Sequence, residues 1–335
     1  MTIRSSSSVY EIVRISFAEL PECGRGAYFI TDERVASCFP ELLPPDDRLL
    51  VVPSGESSKS LACFGQCLSW LAARGASRSS TVVALGGGVI GDLVGFVASA
   101  YMRGVPYLQV PTTLLAQVDS SVGGKVAIDL PEGKNLAGAF YPPAKVLLGE
   151  QFLSTLPPRQ IKNGLGEVLK YGFISNPGLL EMGLVPGLPA LREIVDECIR
   201  IKAEIVEEDE FETKGIRAAL NFGHTVAHAV EVELEYAELL HGEAVSVGMV
   251  AEARLGELLG VSPSGTAKIV ADTLLRAGLP TFHPAMNQAD SLIEAMYRDK
   301  KARNGKLTFS LLSKIGGCTL ISGVSEKDVR AALSA

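Results

Sequence analysis

Three of the four histidines in this 335-residue chain fall within eighteen positions, as His224, His228 and His241. His224 and His228 are four apart in NFGHTVAHAVE, a spacing that puts both rings on one face of a helix. His241 opens the next helical pattern, HGEAV. Imidazole is a common ligand of zinc-like ions, and this concentration points to a metal site more than to packing. Spacing alone nominates His224 and His228 as the ligand pair, completed by a carboxylate. Glu167 in GLGEVLKYG is the best outside acid, because the same stretch presents Lys170 one turn later. Three protein ligands with open positions describe a catalytic ion that can polarise a substrate hydroxyl. His283, in FHP, has no such company and reads as structural.

The run Gly86-Gly87-Gly88-Val89-Ile90-Gly91-Asp92 carries the G-x-G-x-x-G spacing between a strand pattern and a helix pattern. Glycines there let the backbone approach a pyrophosphate, and the helix N-terminus offers N–H groups to its charge. The ribose-binding acid expected about 20 residues further on is missing, since that interval lands at Thr112 and Thr113. The run therefore reads as a glycine-rich nucleotide loop rather than a standard dinucleotide fingerprint.

Cations set among glycines and polar residues form a third group. Asp119-Ser120-Ser121-Val122-Gly123-Gly124-Lys125 and Gly133-Lys134-Asn135 place lysines beside pliant backbone. Arg103, Lys170, Lys202, Arg217 and Lys300 lie in otherwise apolar or helical surroundings. For any single lysine, a solvated surface charge is the plain reading. Arg217, Asn221 and His224 differ, because R-x3-N-x2-H keeps all three on one helical face. That cluster suits an anionic, oxygen-rich substrate.

The elements that must position these residues change in texture along the chain. The first half alternates strands with helices: GAYFIT (26–31), RLLVVP (48–53), TVVALGGG (81–88) and PYLQVPTT (106–113) read as strands. A helix over 60–75 closes at Gly75, and another is expected over 92–104. Such alternation means βαβ units and a parallel sheet. Before Gly26 the chain reads as less β-like. Beyond about residue 150 long helical patterns dominate, Pro157 and Pro158 are placed to open one of them, and 306–322 forms a short β pair. The expected organisation is an α/β nucleotide-binding domain over 1–152 and a mostly helical metal- and substrate-binding domain over 153–335.

Composition sets the outer limits. A chain of this length exceeds one comfortable core, so two domains are expected. Apolar residues at 47% and charged residues at 21% are ordinary for a soluble enzyme. A net charge of −7 argues against a nucleic-acid partner but not against a local basic pocket. The six cysteines lack CxxC pairs, which excludes a thiolate zinc site or disulfide framework and fits a reducing cytosol. Cys63 and Cys67 read as core of the 60–75 helix. The N-terminal serine run has no apolar signal-peptide region, and no stretch approaches the ~20 apolar residues of a membrane span. A soluble, cytoplasmic protein is expected.

These motifs together resemble the 3-dehydroquinate synthase family of sugar-phosphate cyclases. The resemblance is carried by GGGVIGDLVGFVASAYMRGVPYLQVPTTLLAQVDSSVGGKVAIDLPEGKNLAGAFY, LPPRQIKNGLGEVLKYGFI, LNFGHTVAHAVE, LLHGEAVSVGMV and DKK, in order over roughly residues 50–320. It implies that Glu167, His224 and His241 hold the metal, zinc or alternatively cobalt, with His228 facing substrate or supporting the ligands. By the same resemblance Asp119, Lys125, Asn135 and Lys170 line the substrate pocket. Lys202, Arg217, Asn221 and Lys300 complete that pocket, and Arg103 and Lys134 lie near it. Gly87, Gly88 and Asp92 would face NAD, with Asp32, Glu56 and Lys59 on the earlier strand ends and Thr112 and Thr113 near the nicotinamide half. Lys125 and Lys134 would also serve the cofactor.

The activity implied is conversion of 3-deoxy-D-arabino-heptulosonate 7-phosphate to 3-dehydroquinate and phosphate, the second step of the shikimate pathway. NAD transiently oxidises the hydroxyl at carbon 5, phosphate leaves, the hydride returns, and the opened ring closes again by an intramolecular aldol step. NAD is regenerated at each turnover and acts as a catalyst. The resemblance also implies a homodimer. Relatives acting on other sugar phosphates or on an amino analogue are the nearest alternative, and a metal-dependent polyol dehydrogenase is the next.

Overall fold

The computed structural model describes residues 1–4, 8–184, 188–298 and 306–334, with backbone only at 188–190. Lys300 and the DKK motif around it lie outside the described residues. The chain divides into two compact units, Met1–Pro157 with Lys202–Phe211, and Pro158–Ile201 with Glu212–Ala335.

The first unit contains strands β1 (Thr2–Arg4), β2 (Val9–Arg14), β3 (Tyr28–Asp32), β4 (Leu49–Val52), β5 (Val82–Gly86), β6 (Tyr107–Pro111), β7 (Lys125–Leu130), β8 (Gly133–Phe140) and β9 (Lys145–Leu148). Its helices are α1 (Leu20–Cys23), α2 (Glu33–Cys38), α3 (Leu61–Ala73) and α4 (Gly88–Ala100). Seven strands make one sheet in the order β1-β2-β9-β6-β5-β3-β4, parallel throughout except for the β1–β2 pair. β7 and β8 form a separate antiparallel hairpin.

Interior strand β5 is buried along its whole length, as a strand covered on both faces must be. Period-2 alternation sorts its residues. Val83 and Leu85 join Phe29, Val35 and Phe39 on the α2 side. Val82 and Ala84 join Tyr28, Cys67, Leu71 and Ile90 on the side of α3 and α4. Neighbouring strands β3 and β5 therefore send their helices to opposite faces. Their carboxyl ends, at Asp32 and at Gly86-Gly87, bound the kind of crevice in which open α/β sheets hold ligands.

The second unit is helical: α5 (Pro158–Ile174), α6 (Gly178–Met182), α7 (Leu188–Glu208, of which Lys202 onward belongs to the first unit), α8 (His224–Glu233), α9 (His241–Leu258), α10 (Thr266–Arg276), α11 (Ala289–Arg298) and α12 (Glu326–Leu333). A hairpin of β10 (Leu307–Lys314) and β11 (Gly317–Val324) accompanies it. α9 is buried along most of its length, which makes it the central helix of this unit. Its Val247, Ala251 and Leu255 pack with Val226 and Val230 of α8, Leu292 of α11 and Phe309 of β10. Among the described residues no helix is long and apolar enough to cross a membrane.

Two expectations about elements need correction, and one element was not anticipated. The helix expected over 92–104 runs from Gly88 to Ala100, because Gly87 is extended at its start and Met102 and Arg103 turn left-handed after its end. The segment before Gly26 supplies two sheet strands, β2 pairing in parallel with β9. Its buried side carries Tyr10 and Ile12, but the exposed side carries Val9 and Val13 as well as Glu11, so apolar residues on both sides hide the alternation. The β7–β8 hairpin had no counterpart in the sequence reading. β8, GKNLAGAF, is mostly open to solvent and lacks an apolar stripe.

Two glycines set how closely the second unit packs. A Cβ on Gly242 would sit 1.9 Å from the backbone carbonyl oxygen of Asn163, and one on Gly166 would sit 2.5 Å from that of Gly242. The backbones of α5 and α9 are thus in direct contact, reinforced by the Gly242 N–H donating to Asn163 Oδ1 at 2.7 Å. Alanine is the better helix former by about 1 kcal/mol, but a backbone carbonyl cannot swing aside as a side chain can. Gly242→Ala is therefore expected to lower stability by about 1–3 kcal/mol, read from the denaturant midpoint. A raised midpoint would mean that propensity wins and the contact is loose.

Candidate active site

The α5–α9 contact places Glu167, the residue after Gly166, beside His241, the first residue of α9. His224, the first residue of α8, completes the group. Each of the three offers one potential ligand atom, and these atoms all lie within 4.8 Å of one another. His224 Nε2 is 3.3 Å and His241 Nε2 is 3.5 Å from Glu167 Oε1. Ligands about 2.0–2.1 Å from a tetrahedral zinc are about 3.4 Å apart, so these separations fit one shared ion. The Glu167 side chain is 0% exposed, its Oε2 paired with Lys170 and its Oε1 turned to the two imidazoles. A buried carboxylate that faces two imidazole nitrogens is a donor set that suits a divalent cation.

The ring nitrogens turned away from Glu167 are held. His224 Nδ1 is 3.2 Å from the Phe222 carbonyl oxygen, and His241 Nδ1 is 3.3 Å from Glu231 Oε1. Such contacts fix the tautomer and leave Nε2 as donor to a metal. Burial would raise the Glu167 pKa, but Lys170 and His224 outweigh it and hold the carboxyl well below the usual range. Burial pushes His224 down to about 3, so its imidazole is neutral at neutral pH. Burial also opposes charge on His241, yet Glu231 and Glu167 carry it up to about 10.

In the first unit the glycine run ends β5 and opens α4, with Gly87 at the helix cap and Asp92 in the helix beyond. Lys59, itself buried, pairs with Asp92 at 2.7 Å and donates to Asn135 Oδ1. Burial works against the charge of Lys59, but Asp92 and Glu56 raise its pKa overall. Lys134 stands 3.5 Å from Glu56. Glu56, Lys59, Asp92, Lys134 and Asn135 thus form one polar network, and the β7–β8 hairpin delivers two of them. Thr112 and Thr113 follow β6 beside this loop, a Cβ on Gly87 meeting Thr113 Cγ2 at 3.0 Å. The Thr112 hydroxyl is buried without a partner, as are those of Ser120 and Ser121. Asp119 sits in a π-turn, Ala116–Ser120, where Lys202 Nζ reaches its carboxylate at 3.0 Å and its carbonyl at 2.8 Å.

Several expected residues stand apart from these groups. Asp32 caps α2, accepting from the Arg34 and Val35 N–H groups and the Ser54 hydroxyl. Arg103 is exposed in the left-handed turn after α4, and Lys125 is exposed at the start of β7. His228 lies one turn after His224, with ring centroids 5.6 Å apart, and is not one of the three clustered ligands. The pairing of His224 with His228 by spacing alone is therefore corrected, since the partner ring comes from the next helix. Arg217, Asn221 and His224 do not share one helix. Arg217–Asn221 is a 3-10 turn, and Gly223, left-handed at φ +83°, separates it from α8. Arg217 is nonetheless buried, with Glu212 at 3.6 Å. Glu231 was missed, although its place seven residues after His224 puts it on the same helical face and could have revealed it.

Residues 49–163 match the 3-dehydroquinate synthase N-terminal family model, and residues 164–302 match the C-terminal one. The chain belongs to the 3-dehydroquinate synthase family of sugar-phosphate cyclases. Among solved structures it is similar to 2-epi-5-epi-valiolone synthase from Streptomyces hygroscopicus subsp. jinggangensis, which has NAD+ and Zn2+ bound. That match has 28% identity, covers 97% of this chain and 96% of the other, and has a TM-score of 0.88. It is also similar to a 2-deoxy-scyllo-inosose synthase complexed with carbaglucose-6-phosphate, NAD+ and Co2+, at 26% identity, 99% and 98% coverage and a TM-score of 0.84. A probable glycerol dehydrogenase from Sinorhizobium meliloti, at 15% identity, 97% and 95% coverage and a TM-score of 0.62, shares the fold alone.

Zinc binding by the triad is expected to release about one proton per ion at pH 7–8. The source is His241, protonated below about 10, whereas His224 is already neutral. Release should fall as pH rises through that value. Calorimetry in buffers of different ionisation enthalpy measures it, and zero release at pH 7 would mean that His241 is already neutral before the ion binds.

Proposed function

We propose that this cyclase is a 3-dehydroquinate synthase, acting on 3-deoxy-D-arabino-heptulosonate 7-phosphate with NAD and a divalent metal. The observation that carries the reading is the burial of two cations of the second unit, Lys170 and Arg217, at 1% and 2% exposure. Burying a charge costs several kcal/mol unless it is matched. Arg217 lies 3.6 Å from Glu212, and its planar fork suits a carboxylate or phosphate. A substrate bearing both anions gives such a set its purpose, and a simple polyol does not.

The roles divide by unit. The glycine loop, Asp92, Lys59 and Thr112 are assigned to the dinucleotide in the first unit, and Glu167, His224 and His241 to the metal in the second. When bound, the metal would act as a Lewis acid on a substrate hydroxyl and NAD would take and return a hydride. Lys170 holds Glu167 ionised, Glu231 and the Phe222 carbonyl orient the two imidazoles, and Arg217 and Lys202 neutralise substrate charge. The side chains thus work mainly by positioning and electrostatics. A second reading, a cyclase of the valiolone or inosose type, is favoured by the solved relatives at 26–28% identity.

Phosphate release from 3-deoxy-D-arabino-heptulosonate 7-phosphate with NAD and zinc is expected, yielding 3-dehydroquinate with no net NADH. Silence there, with turnover of sedoheptulose 7-phosphate or glucose 6-phosphate, would move the assignment to the second reading. Glu167→Ala and His241→Ala are expected to abolish turnover in a folded protein. For Arg217→Ala a loss of about 10- to 100-fold in kcat/KM is expected, the range for one charged hydrogen-bonding group. Its NAD affinity should not change, and an equal loss there would remove Arg217 from the substrate's side of the mechanism.

A further inference from the structure

α8 and α9 run antiparallel, and each begins with one of the two clustered histidines. The start of α8 has no side-chain cap of its own, Gly223 standing at the N-cap. Glu252, three turns along α9 and 0% exposed, fills that role from the neighbouring helix. Its two carboxylate oxygens accept from the Gly223 N–H at 2.7 Å and the Val226 N–H at 3.2 Å. An anion at this end also matches the helix dipole. At the opposite end of the pair, Glu231 of α8 is buried and turned to His241 Nδ1 at 3.3 Å.

We infer that Glu231 and Glu252 are a reciprocal pair of positioning residues, each carboxylate holding the metal-binding histidine borne by the other helix. The inference rests on reading Glu167, His224 and His241 as the metal ligands. Glu252 holds the first turn of α8, and with it His224. Glu231 holds the ring of His241. Neither is within the ligand cluster.

The two helices leave little room for another arrangement. A Cβ on Gly248 would fall 2.0 Å from the Gly223 carbonyl oxygen, so the backbones touch beside the Glu252 contact. Sliding one helix along the other would break both carboxylate contacts together and change the spacing of the two rings. A buried carboxylate pointed at backbone N–H groups would serve helix packing alone if it stood by itself. Here the two contacts are matched, and each ends at the first turn of the helix that carries a clustered histidine.

Full-length Glu231→Ala and Glu252→Gln variants, their folding checked by far-UV circular dichroism, test the inference. Zn2+ affinity is read by competition with a chromophoric chelator, and coordination geometry from the visible spectrum of the Co2+-loaded proteins. Each variant is expected to lose about 10- to 100-fold in Zn2+ affinity, the range for residues supporting metal ligands, and to alter the Co2+ spectrum. Glu231→Gln, which keeps an acceptor for His241, should recover part of the loss. Parent-like affinity and spectrum in either variant would overturn the pair, including the case in which only the thermal midpoint falls. A His241→Ala control separates the two levels of the argument. If it binds Zn2+ as the parent does, the ligand reading fails and takes this inference with it; if it loses the ion, results with the two glutamates bear on the pair alone.

Discussion

The second unit is built around one electrostatic constraint, a carboxylate taken wholly out of water. Glu167 is fully buried. An ion in that condition is penalised by several kcal/mol unless positive charge surrounds it. Lys170 supplies one such charge from a turn further along α5. The remaining side is faced by two imidazole nitrogens from two other helices. Three helices must therefore converge within a few ångströms, closer than ordinary side chains permit.

That demand explains where the glycines fall. Gly166 and Gly242 let α5 touch the start of α9, and Gly223 and Gly248 let α8 touch its middle. Each contact lies next to a clustered residue in sequence or one helix turn away. The apolar character of α9 follows from the same geometry, because a helix contacted on several sides has no face left for solvent. In the first unit a milder version operates. Lys59 is buried beside Asp92, so the polar network at the glycine loop is pinned by an ion pair before any dinucleotide contributes charge.

Much of this was legible in the sequence, for identifiable reasons. Strands β3 to β6 were readable because buried parallel strands are short apolar runs ended by turn residues. The metal-type residues were readable because histidine is scarce in this chain. Other features depend on contacts with no local signature. The β8 strand of the β7–β8 hairpin has no buried stripe, yet it carries Lys134 and Asn135 to the network at the glycine loop. The single helical face assumed for Arg217, Asn221 and His224 failed at Gly223, whose backbone is left-handed and which lies directly against α9. Glu231 left a trace in its i+7 spacing from His224. Glu252 left none, since capping a different helix is a tertiary event.

The same distinction bears on substrate choice within the family. A metal cluster and a glycine-rich loop serve an oxidation and reduction that does not depend on what else the sugar phosphate carries, so they cannot encode its identity. A substrate's remaining charges must be met by other residues, and those residues are costly to keep when unmatched. Buried cations such as Arg217 and Lys202 are therefore the positions at which members acting on different sugar phosphates should diverge most. On the proposed reading they are retained because a carboxylate as well as a phosphate must be neutralised.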